Sequence, residues 1–335
     1  MLHSSREEFF NAYWAALDGR NWPHVVLHSW QDLPERIDSD VDYAVAGVSA
    51  GELLRFLAAF CRARNWRLVQ IIEHEPGAYY CLCMQVKGPF AWLALDVTWD
   101  YGRCGHVLVR SEFLVSDRRR VAGKSFAVPS VGGEFCYLLA KAAAKGKDFS
   151  QIRGRLAELL AEDLDGCCRA VEKALRCAIP AGCGDAKHLT AVGGWFAQAP
   201  CFRAVRGGRR WGAATVGLGL RRILQPTGFW LALSTADRSN QECEDIIRTL
   251  TPVFRRIHQR DRVALWDLPE VLTRLIRTTL VVEQRQRNEL KGRLQWPMPG
   301  LAIDVDDACG PLVEVLECLA TRVDRRIAGR WKILT

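Results

Sequence analysis

Two aspartates, Asp40 and Asp42, open an alternating run, Asp40-Val41-Asp42-Tyr43-Ala44-Val45. Successive side chains of a strand point to opposite faces, so residues two apart share one. A strand here carries both carboxylates on one side and Val41, Tyr43 and Val45 on the other, which requires a core on the apolar side. It also creates an electrostatic conflict, because carboxylates this close repel unless a cation lies between them. A third acid, Asp96, interrupts the otherwise apolar run Ala91-Trp92-Leu93-Ala94-Leu95-Asp96-Val97. A lone carboxylate in a buried strand is costly without a partner. Convergence of Asp40, Asp42 and Asp96 on one divalent ion answers both conflicts. Mg2+, a hard ion that prefers oxygen ligands and grips triphosphate oxygens, suits that set. The alternative is a solvated loop-to-strand edge at Asp38, Asp40 and Asp42, against which the alternation of Val41, Tyr43 and Val45 argues.

The periodicity places these residues among other elements. A helix is expected over 6–20, where Phe9, Phe10, Tyr13, Trp14 and Leu17 recur at helical spacing, with a stop at Trp22-Pro23. Strands are expected at 24–28 and 41–46, a helix at 50–64 capped by Ser49 with Glu52 three residues on, and strands at 66–73, 79–86 and 91–98. The order αβ-βα-βββ describes a mixed sheet backed by helices. A boundary falls near 116–128, followed by helices over 131–176 broken at Gly146 and near Asp163. Residues 180–228, rich in Gly and Pro, read as a linker. A strand at 229–234, helices at 240–258 and 268–290, an apolar run at 300–305 and a helix at 309–327 complete the chain. The fold class is α/β, with a mixed sheet, a helical middle segment and a small C-terminal αβ domain. The expected division is 1–120, 121–200 and 201–335; 335 residues suit two or three domains.

Composition narrows the setting. At 49% hydrophobic and 25% charged, the chain can bury a real core. No apolar run approaches the roughly 18 residues of a membrane span, and the N-terminus lacks a signal-peptide pattern, so a cytoplasmic location is the default expectation. The 13 cysteines are odd in number and include no Cys-x-x-Cys pair; they read as reduced core thiols rather than a disulfide framework or a zinc site. The net charge of +8 comes from arginine clusters at 118–120, at 203, 206, 209 and 210, and at 221–222. These are spread among acids, as on an ordinary solvated surface; binding of a polyanion such as RNA is the sharper alternative.

The acidic set resembles the nucleotidyltransferase superfamily, whose pattern is a Gly-Ser turn, an Asp-x-Asp strand and a separate Asp strand. The spacing from Ser29 to Asp40 and the string Ser39-Asp40-Val41-Asp42-Tyr43 carry the resemblance. It implies a nucleotidyltransferase-like sheet domain, an NTP substrate, catalytic and metal-holding roles for Asp40, Asp42 and Asp96, and nucleotide contacts at His28, Ser29 and Ser39. His28 stands where the family usually has glycine, which lets backbone approach phosphate closely. The Leu27-His28-Ser29 turn is similar to that of nucleotidyltransferase-like proteins from bacterial polysaccharide gene clusters, implying an acceptor linked to glycan assembly.

A second resemblance lies at 225–257. Gln225-Pro226-Thr227-Gly228, an apolar strand, a polar loop and a helix resemble the start of a thymidylate-kinase-like P-loop domain. The loop departs from a working one. No glycine lies between Ser234 and Asn240, Asn240 stands at the lysine position, and Glu242 and Glu244 put negative charge where phosphate would sit. The implied domain is a pseudokinase remnant that is structural or docks a protein partner; an unrelated αβ domain is the alternative. Residues 304–307 (Asp-Val-Asp-Asp) offer a second Asp-x-Asp, but Asp306 or Asp307 reads as a helix cap, with metal binding as the alternative. Lys124 reads as a linker lysine, with reach to a triphosphate as the alternative. Trp92 and Trp99 read as core, with base stacking as the alternative. His74, flanked by Glu73 and Glu75, makes a poor metal site by itself.

The expected function is Mg2+-dependent transfer of a nucleoside monophosphate from an NTP to a hydroxyl or phosphate acceptor, with release of pyrophosphate. A non-catalytic scaffold that binds a protein partner and an RNA-directed nucleotidyltransferase are the alternatives.

Overall fold

The alternation at residues 41–45 is borne out as strand β2 (Val41–Val45), and its two faces organise what surrounds it. In the computed structural model, residues 2–86, 91–103, 106–145, 149–176, 217, 228–235, 241–254, 256–260, 279–286, 300–304 and 311–332 are described. The protein is a mixed α/β chain. Its internal contacts divide it into two units: Met1–Leu53, Glu73–Cys81 and Leu93–Val216, and Leu54–Ile72, Leu82–Trp92 and Gly217–Thr335.

Helix α1 (Leu2–Gly19) and strand β1 (His24–Val26) precede β2. Helix α2 (Ala50–Ala63) and strands β3 (Trp66–Glu75), β4 (Ala78–Gln85) and β5 (Trp92–Thr98) follow it. The Ser49 hydroxyl accepts the Glu52 amide at 3.3 Å, so α2 is capped as its sequence indicates. The strands form a five-stranded sheet in the order β1-β2-β5-β4-β3. β1 pairs antiparallel with β2, and β2 pairs parallel with β5.

One face of β2 meets α1. Phe9, Phe10, Tyr13, Trp14 and Leu17 are all buried. Trp14 lies edge-on to Tyr43 at 5.1 Å and stacks on His24 at 5.3 Å. The Tyr13 and Tyr43 hydroxyls share a 2.7 Å hydrogen bond, which satisfies two polar atoms inside this aromatic core. Ala44, Val25 and Leu27 belong to a second core with α4 (Val131–Lys145), α5 (Arg153–Glu162) and α6 (Leu164–Leu175). Gly132 lets α4 and α6 touch: a Cβ there would lie 2.5 Å from the Gly166 carbonyl oxygen.

Glu134, in the first turn of α4, is 1% exposed and holds a cluster together. Arg155 donates to both its oxygens at 2.7 and 3.0 Å, Trp30 Nε1 donates at 3.3 Å, and Arg119 lies 3.6 Å away. Between β5 and α4 the chain forms a hairpin, β6 (Asp100–Arg103) with β7 (His106–Arg110), a short helix α3 (Ser111–Ser116), and a small pair, β8 (Arg119–Arg120) with β9 (Ala127–Val128).

In the second unit, strands β10 (Phe229–Thr235), β11 (Arg256–Arg260), β12 (Thr279–Gln286) and β13 (Gly300–Asp304) form a sheet in the order β11-β12-β10-β13, all pairs parallel. Helix α7 (Gln241–Leu250) follows β10. Helix α8 (Pro311–Lys332) places Asp324 at 2.8 Å from Arg62 and Glu317 at 2.8 Å from Arg67, and Arg326 donates to the Ile71 carbonyl at 3.0 Å.

Two expectations fail here. The helix expected over 240–258 ends at Leu250, and β11 begins at Arg256. Pro252 accounts for the break, because it lacks an amide proton and disfavours helical backbone at Thr251. The helix expected over 268–290 is strand β12 at Thr279–Gln286; the rest of that span lies outside the described residues. The run Thr279-Leu280-Val281-Val282, three of its four residues β-branched, sits in an interior strand, where alternation is lost. The 180–228 linker, the arginines at 203–222, the loop 236–240 and Asp306 and Asp307 lie outside the described residues, apart from 217 and 228. No described helix is long and apolar enough to cross a membrane.

Glu134→Ala should lower stability by about 2–3 kcal/mol in urea unfolding, somewhat less than is usual for breaking a fully buried ion pair because Arg155 and Arg119 keep some solvation. Glu158→Ala, which removes the exposed partner of Arg155, should change it by less than about 0.5 kcal/mol.

Candidate functional site

Asp42 and Asp96 are register partners across the parallel β2–β5 pair. A parallel pair aligns strand ends of the same sense, so acids from two distant segments meet at one mouth of the sheet. Asp40, on the turn leading into β2, joins them. Oxygens of all three carboxylates lie within 4.8 Å of one another. The three expected acids thus converge, and they do so beside a cleft of about 140 Å3 that Asp42 and Asp96 line.

Each of the two strand acids has a hydrogen-bonding partner from another element. His28, just after β1, contacts Asp42 Oδ2 through Nε2. Lys141, on α4, donates to the same oxygen at 3.0 Å and also contacts His28 Nε2. A single ring nitrogen donates to Asp42 or accepts from Lys141, not both at once. His74, at the end of β3, meets Asp96 Oδ1 at 2.8 Å. Tyr137 floors this group: the His28 ring stacks on it at 6.0 Å and Lys141 Nζ lies 5.5 Å from its centroid.

The electrostatics separate the two neighbouring acids. Burial pushes the Asp42 carboxyl up, but the His28 hydrogen bond and the charges of His28 and Lys141 outweigh it and hold the group well below the usual carboxylate range. Asp40 moves the other way. Burial, then repulsion from Asp42 and Asp96, raise its carboxyl. Burial also raises the Tyr137 and Tyr101 phenols, which therefore remain neutral hydroxyls.

The nucleotide-contact residues expected from the turn are placed differently from one another. His28 reaches the acids, and its Nδ1 meets the Ser29 hydroxyl at 2.9 Å. Ser29 has φ 53°, the left-handed conformation that a glycine turn would supply more cheaply. Ser39 spends its hydroxyl on the Asp40 carbonyl at 3.3 Å. Lys124 is held by the Leu33 carbonyl and by Glu35 at 3.1 Å, so it serves the loop after β1 rather than the acids. Trp99 donates its indole proton to the Val48 carbonyl, a structural use. Arg119 pairs with Glu162 and Arg120 with Asp18, so these two cluster arginines have intramolecular partners. The described cysteines are free thiols, five of them buried.

Sequence reasoning missed Lys141, Tyr137, Tyr101, Arg103 and Lys145. The signal for Lys141 was present: it interrupts the apolar helix text Leu138-Leu139-Ala140-Lys141-Ala142-Ala143-Ala144 much as Asp96 interrupts its strand. No family model, curated protein or solved structure matches this chain.

The opposite displacements of the two acids set a pH test. Asp42 has a folded value below its unfolded one, so its stabilising contribution is complete above about pH 4 and is lost as pH falls through the folded value. Asp40 has a raised folded value, so its charged form costs stability at neutral pH and the cost disappears on acidification. Asp40→Asn should therefore raise the urea midpoint at pH 7 but not at pH 3, whereas Asp42→Asn should lower it at pH 7 and flatten the acid limb. A lower pH 7 midpoint for Asp40→Asn would contradict the assignment.

Proposed function

We propose that this protein is a Mg2+-dependent nucleotidyltransferase that moves a nucleoside monophosphate from an NTP to a hydroxyl or phosphate acceptor. The observation that carries the reading is the convergence of Asp40, Asp42 and Asp96, within 4.8 Å of one another, beside a cleft that Asp42 and Asp96 line. The donor set suits a hard divalent ion: three carboxylates, of which Asp40 is destabilised as an anion first by burial and then by the other two. Asp40, Asp42 and Asp96 would hold Mg2+, which when bound neutralises triphosphate charge and favours an attacking oxygen.

The remaining roles belong to the chain. Lys141 and His28 keep Asp42 ionised and in place. His74 fixes one oxygen of Asp96 and so orients that carboxylate toward an acceptor proton. Tyr137 supplies a neutral, rigid floor. In the transfer, the acceptor oxygen bonds to the α-phosphorus and the α–β anhydride bond breaks. Pyrophosphate leaves with the electron pair, and the acceptor proton passes by way of Asp96 to solvent. The glycan-linked acceptor rests on the resemblance of the Leu27-His28-Ser29 turn alone.

One observation favours a second reading, a scaffold that binds a protein partner. His28 and Lys141 already hold Asp42, and His74 meets Asp96, so both strand acids have partners within the chain. Calorimetry with MgCl2 and each NTP separates the two. A transferase gives binding heat that Asp42→Ala removes; a scaffold gives none.

The activity test is pyrophosphate release from the four NTPs with a pool of small-molecule acceptors. Wild type should release pyrophosphate only with a divalent cation, and Asp40→Asn and Asp96→Asn should each cut the rate by a factor of about 10^2 or more. Equal rates in wild type and Asp40→Asn would remove the enzymatic reading.

A further inference from the structure

The cleft beside the carboxylates has a second wall of opposite charge. Helix α4 lines it with Tyr137, Lys141 and Lys145, spaced four residues apart and therefore aligned on one helix face. The β6–β7 hairpin lines it with Tyr101 and Arg103. The hairpin register shifts between Tyr101 and Gly102, and a bulge of this kind bends a strand and re-aims the side chains beside it. Gly102 permits that bend, since a Cβ would lie 2.7 Å from the His106 carbonyl oxygen.

Lys141 is committed to Asp42. Arg103 and Lys145 line the same space, together with Asp42, Asp96 and Glu75, and are not part of the transfer chemistry. Tyr101 adds a hydroxyl that is buried and has no hydrogen-bond partner. A buried donor left unmet costs folding free energy, so a group from outside the chain is the natural partner for it. The size of the space limits that group. About 140 Å3 is well below the roughly 300–1,000 Å3 of pockets that enclose drug-sized ligands. A volume of that size takes one small charged end of a ligand rather than the whole of it.

We infer that this cleft binds the oxyanion end, phosphate or carboxylate, of a small hydroxylated acceptor, with Arg103 and Lys145 taking the charge and Tyr101 donating a hydrogen bond. The acceptor's hydroxyl end then lies toward Asp96. That orientation rests on the transferase reading, whereas the anion binding does not. Arginine suits the task, because its planar fork matches the geometry of phosphate and carboxylate oxygens.

The test is calorimetric titration of the full chain, without metal or nucleotide, with inorganic phosphate, glycerol 3-phosphate and glycerate in turn. Saturable binding of at least one is expected, and comparison of the phosphate and carboxylate arms identifies the anion. Arg103→Met should weaken it by about tenfold and Arg103→Lys by less. Tyr101→Phe should weaken it severalfold without lowering Tm, because the hydroxyl has no intramolecular bond to lose. Absence of saturable binding by all three anions overturns the inference. So does binding that Arg103→Met and Lys145→Met leave intact in folded protein of unchanged Tm. Anion binding without pyrophosphate release from any NTP would sink the transferase and keep the cleft; pyrophosphate release without anion binding would do the reverse.

Discussion

Asp42 and Asp96 stand opposite each other on adjacent parallel strands, and the repulsion between them constrains every element that reaches the site. A parallel pair cannot be closed by a tight turn. Here α2, β3 and β4 intervene between β2 and β5, and that long crossover is what brings Asp96 back to the same end of the sheet as Asp42. The partners that hold these carboxylates then come from three further places: the turn after β1, the end of β3 and the middle of α4. Displacing any of these elements would leave a partly buried carboxylate without its partner, a costly state at low dielectric.

Such a site needs rigid support on both sides, and the two cores supply it differently. Behind β2, the interlocked rings of Trp14, Tyr13 and Tyr43 fix the strand through packing and one shared hydrogen bond. On the acidic face, the position of Lys141 follows from how α4 is anchored. Glu134, two helical turns earlier, ties the start of α4 to Arg155 on α5 and to Trp30 in the loop that leads to Asp40. A single buried carboxylate thus connects the helix that carries the lysine with the loop that carries the acid. Arg119 and Arg155 lie 5.8 and 5.6 Å from the Trp30 ring and add cation–π contacts to that loop.

Much of this was legible in residue order. The αβ-βα-βββ pattern was readable because the strands of the first 98 residues are short apolar runs bounded by turn residues, and the two helices carry apolar residues at helical spacing. The carboxylate cluster was readable because a charge inside an apolar strand is an anomaly that needs an explanation. The hairpin at residues 100–110 was missed because Gly102 and its bulge break the alternation by which strands are recognised. β12 was misread as helix because an interior parallel strand loses the alternation that distinguishes it from a helix. Lys141 was overlooked for a different reason. A lysine in a helix is ordinarily a solvated one, and only the packing of α4 shows that this position faces the sheet.

The difference between Asp40 and Asp42 gives the cluster a direction. Environments that push two neighbouring carboxyls apart assign them different work. Asp42 is held ionised by groups of the chain itself, so an added cation gains little there and must share the oxygen with Lys141 and His28. Asp40 has burial and two negative neighbours against it. It is the acid that gains most from a positive charge arriving from solution. On the transferase reading, His28 therefore need not block the site by replacing glycine. It takes over part of the neutralisation of Asp42 that a metal would otherwise carry alone, and leaves the demand for an external cation concentrated at Asp40.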